Sequence, residues 1–183
     1  MGFEAARAVG GTFLLRIEDI DSSRCKPQFV DAIVEDLRFV GLTFDGPIRK
    51  QSEHLSDYAA ALAELERLGV LYPCFCTRAE IAAELAHSQS APQADPSELP
   101  QVYPGRCRDR KRDEVEQRLL AGHSYALRLH TDRSRELLQS RGQWPLTFSD
   151  QHQGTVTVDP ELLGDVVLAR KEFRTSYHLA VVL

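Results

Sequence analysis

Three thiols in two distant segments constrain this chain more than any other feature. Residues 72–78 read YPCFCTR and residues 102–107 read VYPGRC, so Cys74 and Cys76 stand two positions apart and Cys107 lies far beyond them. Between the arms, residues 88–105 (SQSAPQADPSELPQVYPG) are rich in Ser, Gln and Pro and read as an exposed loop. Thiols brought together across such a loop resemble a small structural zinc site, in which the metal ties down a segment too polar to bury a core of its own. A fourth ligand is then needed. Tyr103, four residues before Cys107, is the nearest side chain able to bind, with His87 and His123 as competitors. A phenol loses its proton only near a pKa of about 10, and an adjacent Zn²⁺ favours that loss. The competing reading is that the thiols are ordinary buried fillers. Cys-x-Cys spacing alone does not decide between the two.

The rest of the composition narrows the class. The chain has 183 residues, 43% hydrophobic and 27% charged, as expected of a soluble protein with one domain or one domain carrying an insertion. No apolar run approaches a membrane span, so no membrane partner is expected. The start, MGFEAARAVGG, has neither the basic nor the apolar region of a secretory signal. Ala6 stands where a myristoylation signal has Ser or Thr. The expected compartment is therefore the reducing cytoplasm, which disfavours disulfides. Cys25 stands apart and reads as a free thiol. A net charge of −5 argues against coating nucleic acid through bulk charge. The basic run RCRDRKR, residues 106–112, reads as a solvated loop and helix start.

Periodicity gives an α/β order. Residues 3–9 read as the tail of a helix stopped by Gly10 and Gly11. Thr12–Ile17 reads as a strand, with Phe13, Leu15 and Ile17 on one face and Leu14, Arg16 and Glu18 on the other. Pro27–Val40 and residues 55–68 read as helices. Their stripes are Val30, Ile33, Leu37 and Val40, then Leu55, Tyr58, Leu62, Leu65 and Leu68. Thr77 with Glu80 is a capping-box pattern for a short helix ending near Ala86. Residues 113–121 look helical and Tyr125–Leu129 like a strand. LTFSD, TVTVD, DVVLA and YHLAVVL then read as strands, the last a buried one. The order is that of an α/β sheet interrupted by an insertion.

The segment LLRIEDIDSSR, residues 14–24, sets Arg16, Glu18, Asp19 and Asp21 at the end of an apolar strand. Ligands of open α/β sheets bind beyond the carboxyl ends of strands, and Glu18 is read as a binding carboxylate there. Asp21, with Ser22 and Ser23, is read as the cap of the following helix.

This segment resembles the Arg-Ile-Glu-Asp-x-Asp stretch of the glutamyl-tRNA synthetase family. GLTFDGPIRKQSEH, YPCFCTR, YPGRCR and SYHLAVVL follow in the family's order over nearly the whole chain. The compact GLTFDGP–QSEH connection looks most like the stand-alone branch of that family, which has no anticodon-binding domain. The resemblance implies a class I synthetase Rossmann-like catalytic domain over 1–72 and 124–183 and an inserted zinc-bearing module over 73–123. It implies zinc ligation by Cys74, Cys76, Tyr103 and Cys107. It also implies activation of glutamate by ATP, with Mg²⁺, and transfer of glutamate to queuosine in the anticodon loop of tRNA(Asp), by a monomer. Glu18 would receive the substrate ammonium and Tyr177 would contact the substrate in the same pocket. The family opens with a strand and a His-Ile-Gly-His-type signature and continues past the LAVVL segment to a Lys-Met-Ser-Lys-like loop. Against that pattern the chain is expected to be an incomplete enzyme of doubtful activity. Two other outcomes fit the same residues: the amino-terminal part of a glutamyl-tRNA synthetase charging the tRNA 3′ end, and a non-catalytic, zinc-stabilised RNA-binding remnant.

Overall fold

Residues 13–18 alternate as the sequence implies: Phe13 and Leu15 are half-buried and Ile17 is buried, while Leu14, Arg16 and Glu18 are exposed. Only Arg16–Ile17 (β1) forms a strand, because its parallel partner, Arg49–Lys50 (β2), is itself two residues long. Upstream, Phe13 and Leu15 each give their carbonyl to one backbone N–H, from Asp45 at 2.8 Å and Arg49 at 3.0 Å. The computed structural model to which these elements belong describes residues 2–88 and 102–183. Most of the expected 88–105 loop therefore lies outside the described residues. The chain divides into two units, Met1–Ala60 with Thr175–Leu183, and Ala61–Arg174.

In the first unit, Gly2–Ala8 (α1) ends where Gly11 N–H reaches back to the Ala6 carbonyl at 2.7 Å. Pro27–Phe39 (α2) starts on a proline, whose missing N–H costs nothing in the first turn. The expected Asp21 cap is not made. The N-cap is Lys26, without a side-chain bond, and Asp21 instead accepts from the Ser23 N–H and hydroxyl at 3.2 and 2.5 Å, closing its own turn. No residue of α2 is buried, and Ile33 on its apolar stripe is 45% exposed. A 3₁₀ turn, Gln51–His54, leads into Leu55–Arg67 (α3). The division between the units falls within α3; on the part in this unit Tyr58 is buried and Leu55 exposed, and on the part in the second unit Leu62 is buried.

In the second unit, Gly69, at φ 71°, ends α3 in the left-handed conformation that glycine adopts without strain. Leu71–Cys74 (β3) follows. It pairs antiparallel with Ala126–Leu129 (β4), which pairs antiparallel with Val167–Ala169 (β7). The Thr77–Glu80 box opens Arg78–Ser88 (α4): Thr77 N–H reaches Glu80 Oε2 at 2.7 Å and Glu80 N–H reaches Thr77 Oγ1 at 3.2 Å. Arg112–Leu120 (α5) precedes β4 and Thr131–Ser140 (α6) follows it, capped by His130, whose Nδ1 accepts from Arg133 N–H at 3.4 Å. Thr147–Asp150 (β5) and Gly154–Thr157 (β6) form a hairpin, and a 3₁₀ turn, Pro160–Leu162, precedes β7.

The strand expected over YHLAVVL, and with it a strand position for Tyr177, is not observed. Tyr177–Ala180 is one helical turn (α7) capped by Ser176, whose Oγ accepts from Leu179 N–H at 3.4 Å. Leu179 and Ala180 are buried on one side of it, which satisfies the apolar residues without a ladder. Among the described residues no helix is long and apolar enough to cross a membrane.

Candidate metal centre and its supporting network

Strand β3 delivers Cys74 at its last residue, and the extended chain after it delivers Cys76; the 103–107 turn returns Tyr103 and Cys107 to the same place. Cys74, Tyr103 and Cys107 are buried and Cys76 is half-buried. The three Sγ atoms lie within 4.8 Å of one another, with Cys76 and Cys107 3.4 Å apart. The Tyr103 hydroxyl stands 3.3 Å from Cys74 Sγ and 3.6 Å from Cys76 Sγ, and accepts the Cys107 N–H at 3.0 Å. Tetrahedral ligation at a Zn–S distance of about 2.3 Å requires sulfurs about 3.8 Å apart, so the set fits with shifts of about an ångström or less.

Two guanidiniums pack on the cluster, that of Arg128 3.7 Å over the Tyr103 ring and that of Arg110 3.4 Å from Cys107 Sγ, and its members draw one another's protonation apart. The Cys74 hydrogen bond, with the Arg110 guanidinium 3.4 Å away, pulls the Cys107 thiol well below its ordinary range. The bond to Cys107, together with burial, pushes Cys74 up. Burial, then hydrogen bonding with Cys74 and Cys76, pushes the Tyr103 phenol up. A divalent cation reverses that balance by stabilising thiolate and phenolate. Of the competing ligands, His123 is exposed, has its Nδ1 3.2 Å from the Arg118 carbonyl and does not join the three thiols. The His87 side chain lies outside the described residues.

Asp165, which sequence reasoning missed, holds the two arms together. It is 1% exposed. Its Oδ2 accepts the Tyr72 hydroxyl at 2.6 Å and Arg108 Nε at 2.7 Å, and its Oδ1 accepts Thr131 N–H at 3.1 Å. Tyr72 lies two residues before Cys74 and Arg108 one residue after Cys107, so a single carboxylate ties both thiol-bearing arms to the start of α6. Burial pushes Asp165 up, but these hydrogen bonds outweigh it and hold the carboxyl below its ordinary value. The only signal in the sequence is a lone acid directly before the apolar run of β7. The basic run 106–112 is thus only partly solvated: Arg112 is exposed, while Arg108 and Arg110 are tucked against Asp165 and Cys107.

In the first unit, a cavity of about 380 Å³ lies between β1 and α2, floored by Leu15, Ile17, Phe29, Val30 and Ile33 and rimmed by Glu18, Arg24 and Lys26. Glu18 accepts from Arg16 at 3.1 Å, and the same guanidinium donates to the Val181 carbonyl at 2.9 Å. Tyr177 is 49% exposed and does not line this cavity.

A family model described as tRNA synthetases class I (E and Q), catalytic domain, matches residues 1–183. The chain is 41% identical over 187 residues to a glutamyl-Q tRNA(Asp) synthetase of Rhodobacter capsulatus, covering 100% of this chain and 64% of that protein. It is 33% identical over 178 residues to a glutamate–tRNA ligase of Coprothermobacter proteolyticus, covering 97% of this chain and 35% of that one. A crystal structure of a glutamate tRNA ligase from Elizabethkingia meningosepticum in complex with its amino acid superposes with a TM-score of 0.72 at 24% identity, over 99% of this chain and 36% of that chain. The chain thus spans less than two thirds of the length of these relatives.

Proposed function

From its membership of the class I tRNA synthetase (E and Q) catalytic-domain family, we propose that this chain belongs to an enzyme that activates glutamate with ATP and transfers it to queuosine in the anticodon loop of tRNA(Asp). The observation that carries the reading is the likeness along the whole chain to a protein named for that activity. In this reaction the glutamate carboxylate attacks the α-phosphorus of ATP and pyrophosphate leaves. A queuosine hydroxyl then displaces AMP from the glutamyl carbonyl. The protein's share is mainly to position reactants and stabilise charge.

Glu18 is the residue proposed to hold the substrate ammonium. Its side-chain partner is Arg16, and a carboxylate accepts more than one donor. Tyr177, whose ring is half exposed, is proposed to contact the same substrate from α7. Cys74, Cys76, Tyr103 and Cys107 are proposed to hold one Zn²⁺ within an inserted module over 73–123. Bound there, the metal supplies a crosslink between the two arms rather than chemistry on the substrate. Elemental analysis should find one zinc per chain, lost in Cys107→Ser and bound more weakly in Tyr103→Phe. Undiminished affinity in the phenylalanine variant would remove tyrosine from the ligand set.

The test of activity follows labelled glutamate in the native gene product that carries this chain. Label on tRNA(Asp) that depends on queuosine is the expected result. Label on the 3′ end of tRNA(Glu) would instead make the chain part of a glutamyl-tRNA synthetase, the reading that its likeness to glutamate–tRNA ligases supports. RNA binding without any pyrophosphate exchange would support the non-catalytic alternative.

A further inference from the structure

Arg128 is fixed in the middle of a sheet. Its strand, β4, is the central one of three, and the residue pairs with Tyr72 of β3 on one side and with Val167 of β7 on the other. From that base its guanidinium lies 3.7 Å from the centre of the Tyr103 ring, and its Nη1 donates to the Asp165 carbonyl at 2.7 Å. Its Nε–H is buried without an acceptor. Its charge is unmatched as well. Arg108 is paired with Asp132 and Asp165, and Arg110 and Arg118 share Glu114. Among the described residues Arg128 forms no ion pair.

A half-buried guanidinium with no carboxylate of its own calls for negative charge nearby. The ring beneath it carries the hydroxyl that stands among the thiols, 3.3 Å from Cys74 Sγ. Thiols and phenols bind a metal in their deprotonated form. Three thiolates and a phenolate around one divalent cation leave the centre with two negative charges, which are costly to bury unbalanced. Arg110 reaches Cys107 Sγ at 3.4 Å but divides its charge with Glu114. Arg128 has no competing claim, and a cation stacked on an aromatic face is held more strongly once the ring itself is anionic. A histidine or a water as fourth ligand would leave one negative charge less and give the stacked cation nothing to balance. Partners behind metal ligands commonly fix their orientation and tune them in this way.

We propose that Arg128 is the positioning residue of this centre: stacked on Tyr103, it holds the hydroxyl among the thiols and supplies the positive charge that lets a phenolate, rather than a neutral ligand, complete the set around a divalent cation. The inference rests on the zinc reading given above and on no property of glutamate, ATP or tRNA.

The test measures zinc affinity by competition with a chelating indicator, with circular dichroism to check that each variant is folded. Arg128→Gln keeps a donor for the Asp165 carbonyl but no charge. It should weaken zinc binding by about 10–100-fold, the range that partners behind metal ligands command. Arg128→Lys, which restores the charge without the plane, should bind zinc more tightly than Arg128→Gln. In a Tyr103→Phe background the Arg128→Gln change should cost far less, because the charge it serves is gone. Arg112→Gln, the same loss of charge at an exposed side chain of this unit, should bind zinc as the parent does. Zinc added to the parent should also raise the near-ultraviolet difference band of a tyrosinate, absent from Tyr103→Phe. The inference is overturned if Arg128→Gln binds zinc like the parent, if Arg128→Lys loses as much as Arg128→Gln, if the loss is equal in the Tyr103→Phe background, or if Arg112→Gln loses as much. Zinc taken up by the parent without the tyrosinate band overturns it even where Arg128→Gln does not fold. A parent that binds one zinc while Arg128→Gln is undiminished leaves the zinc reading standing without the inference; a parent that takes up no zinc overturns both.

Discussion

Replacing Asp165 by Asn tests whether one carboxylate organises the second unit. An amide keeps the shape but turns one acceptor into a donor. If its oxygen takes the Oδ2 place, it keeps Tyr72 and Arg108, and its NH₂ then faces the Thr131 N–H that Oδ1 had satisfied at 3.1 Å. A stranded buried donor costs about 1–3 kcal/mol, and a hydrogen bond to a charged group contributes about 1.5–3 kcal/mol. Arg108 is 26% exposed and retains Asp132 at 2.9 Å, so the lower half of each range applies, for a total of about 3 kcal/mol. For a chain of this length that corresponds to a fall in Tm of about 6–12 °C. Urea denaturation followed by circular dichroism at neutral pH measures it. Asp132→Asn, at a side chain 40% exposed, is the comparison and should cost less than about 1 kcal/mol. Equal losses for the two substitutions would refute the hub.

The same carboxyl predicts a pH dependence. Its folded pKa is depressed, so its contribution is complete above the unfolded value of about 3.9 and is lost as pH falls through the lower folded value. The acid limb of the parent's stability should therefore be steeper than that of Asp165→Asn when both are measured by denaturation between neutral and strongly acid pH. Thr77→Ala removes one side of the α4 capping box and should cost about 1 kcal/mol in urea denaturation. Gly164→Ala should destabilise by about 1–2 kcal/mol from its positive φ of 59° alone. It should lose more where the new Cβ falls well inside contact distance of Val102 Cγ1; a change under about 0.5 kcal/mol would contradict both arguments. Zinc removed by chelation should lower the Tm of the parent and leave Cys107→Ser unmoved, which differential scanning fluorimetry can check.

What the sequence disclosed was whatever neighbouring residues determine among themselves. The 3.6-residue stripe placed α3, Thr77 and Glu80 placed α4, and alternation in 13–18 assigned the correct faces although the ladder there is only two residues long. The thiol arms were legible as a pair because Tyr103 and Cys107 sit within one turn of each other. The misses have the opposite character. Asp165 acts on partners 93 and 57 residues away, a relation that no local pattern records. The run YHLAVVL has strand composition, yet a serine cap and the burial of Leu179 and Ala180 turn it into a helix. α6 escaped because its sequence, TDRSRELLQS, carries too few apolar residues to mark a stripe.

The span between Arg108 and Asp165 also has a consequence in time. A ribosome adding about 5–20 residues per second needs about 3–11 s to make the 57 residues that separate them. Throughout that interval Cys74, Cys76 and Cys107 are already synthesised while the carboxylate that clamps their arms does not yet exist. The nascent chain therefore passes through a stage in which all three thiols exist without the carboxylate that clamps their arms. In that stage a mismatched metal ion or an oxidant meets the least resistance, so damage to this cluster during synthesis should exceed damage to the finished protein.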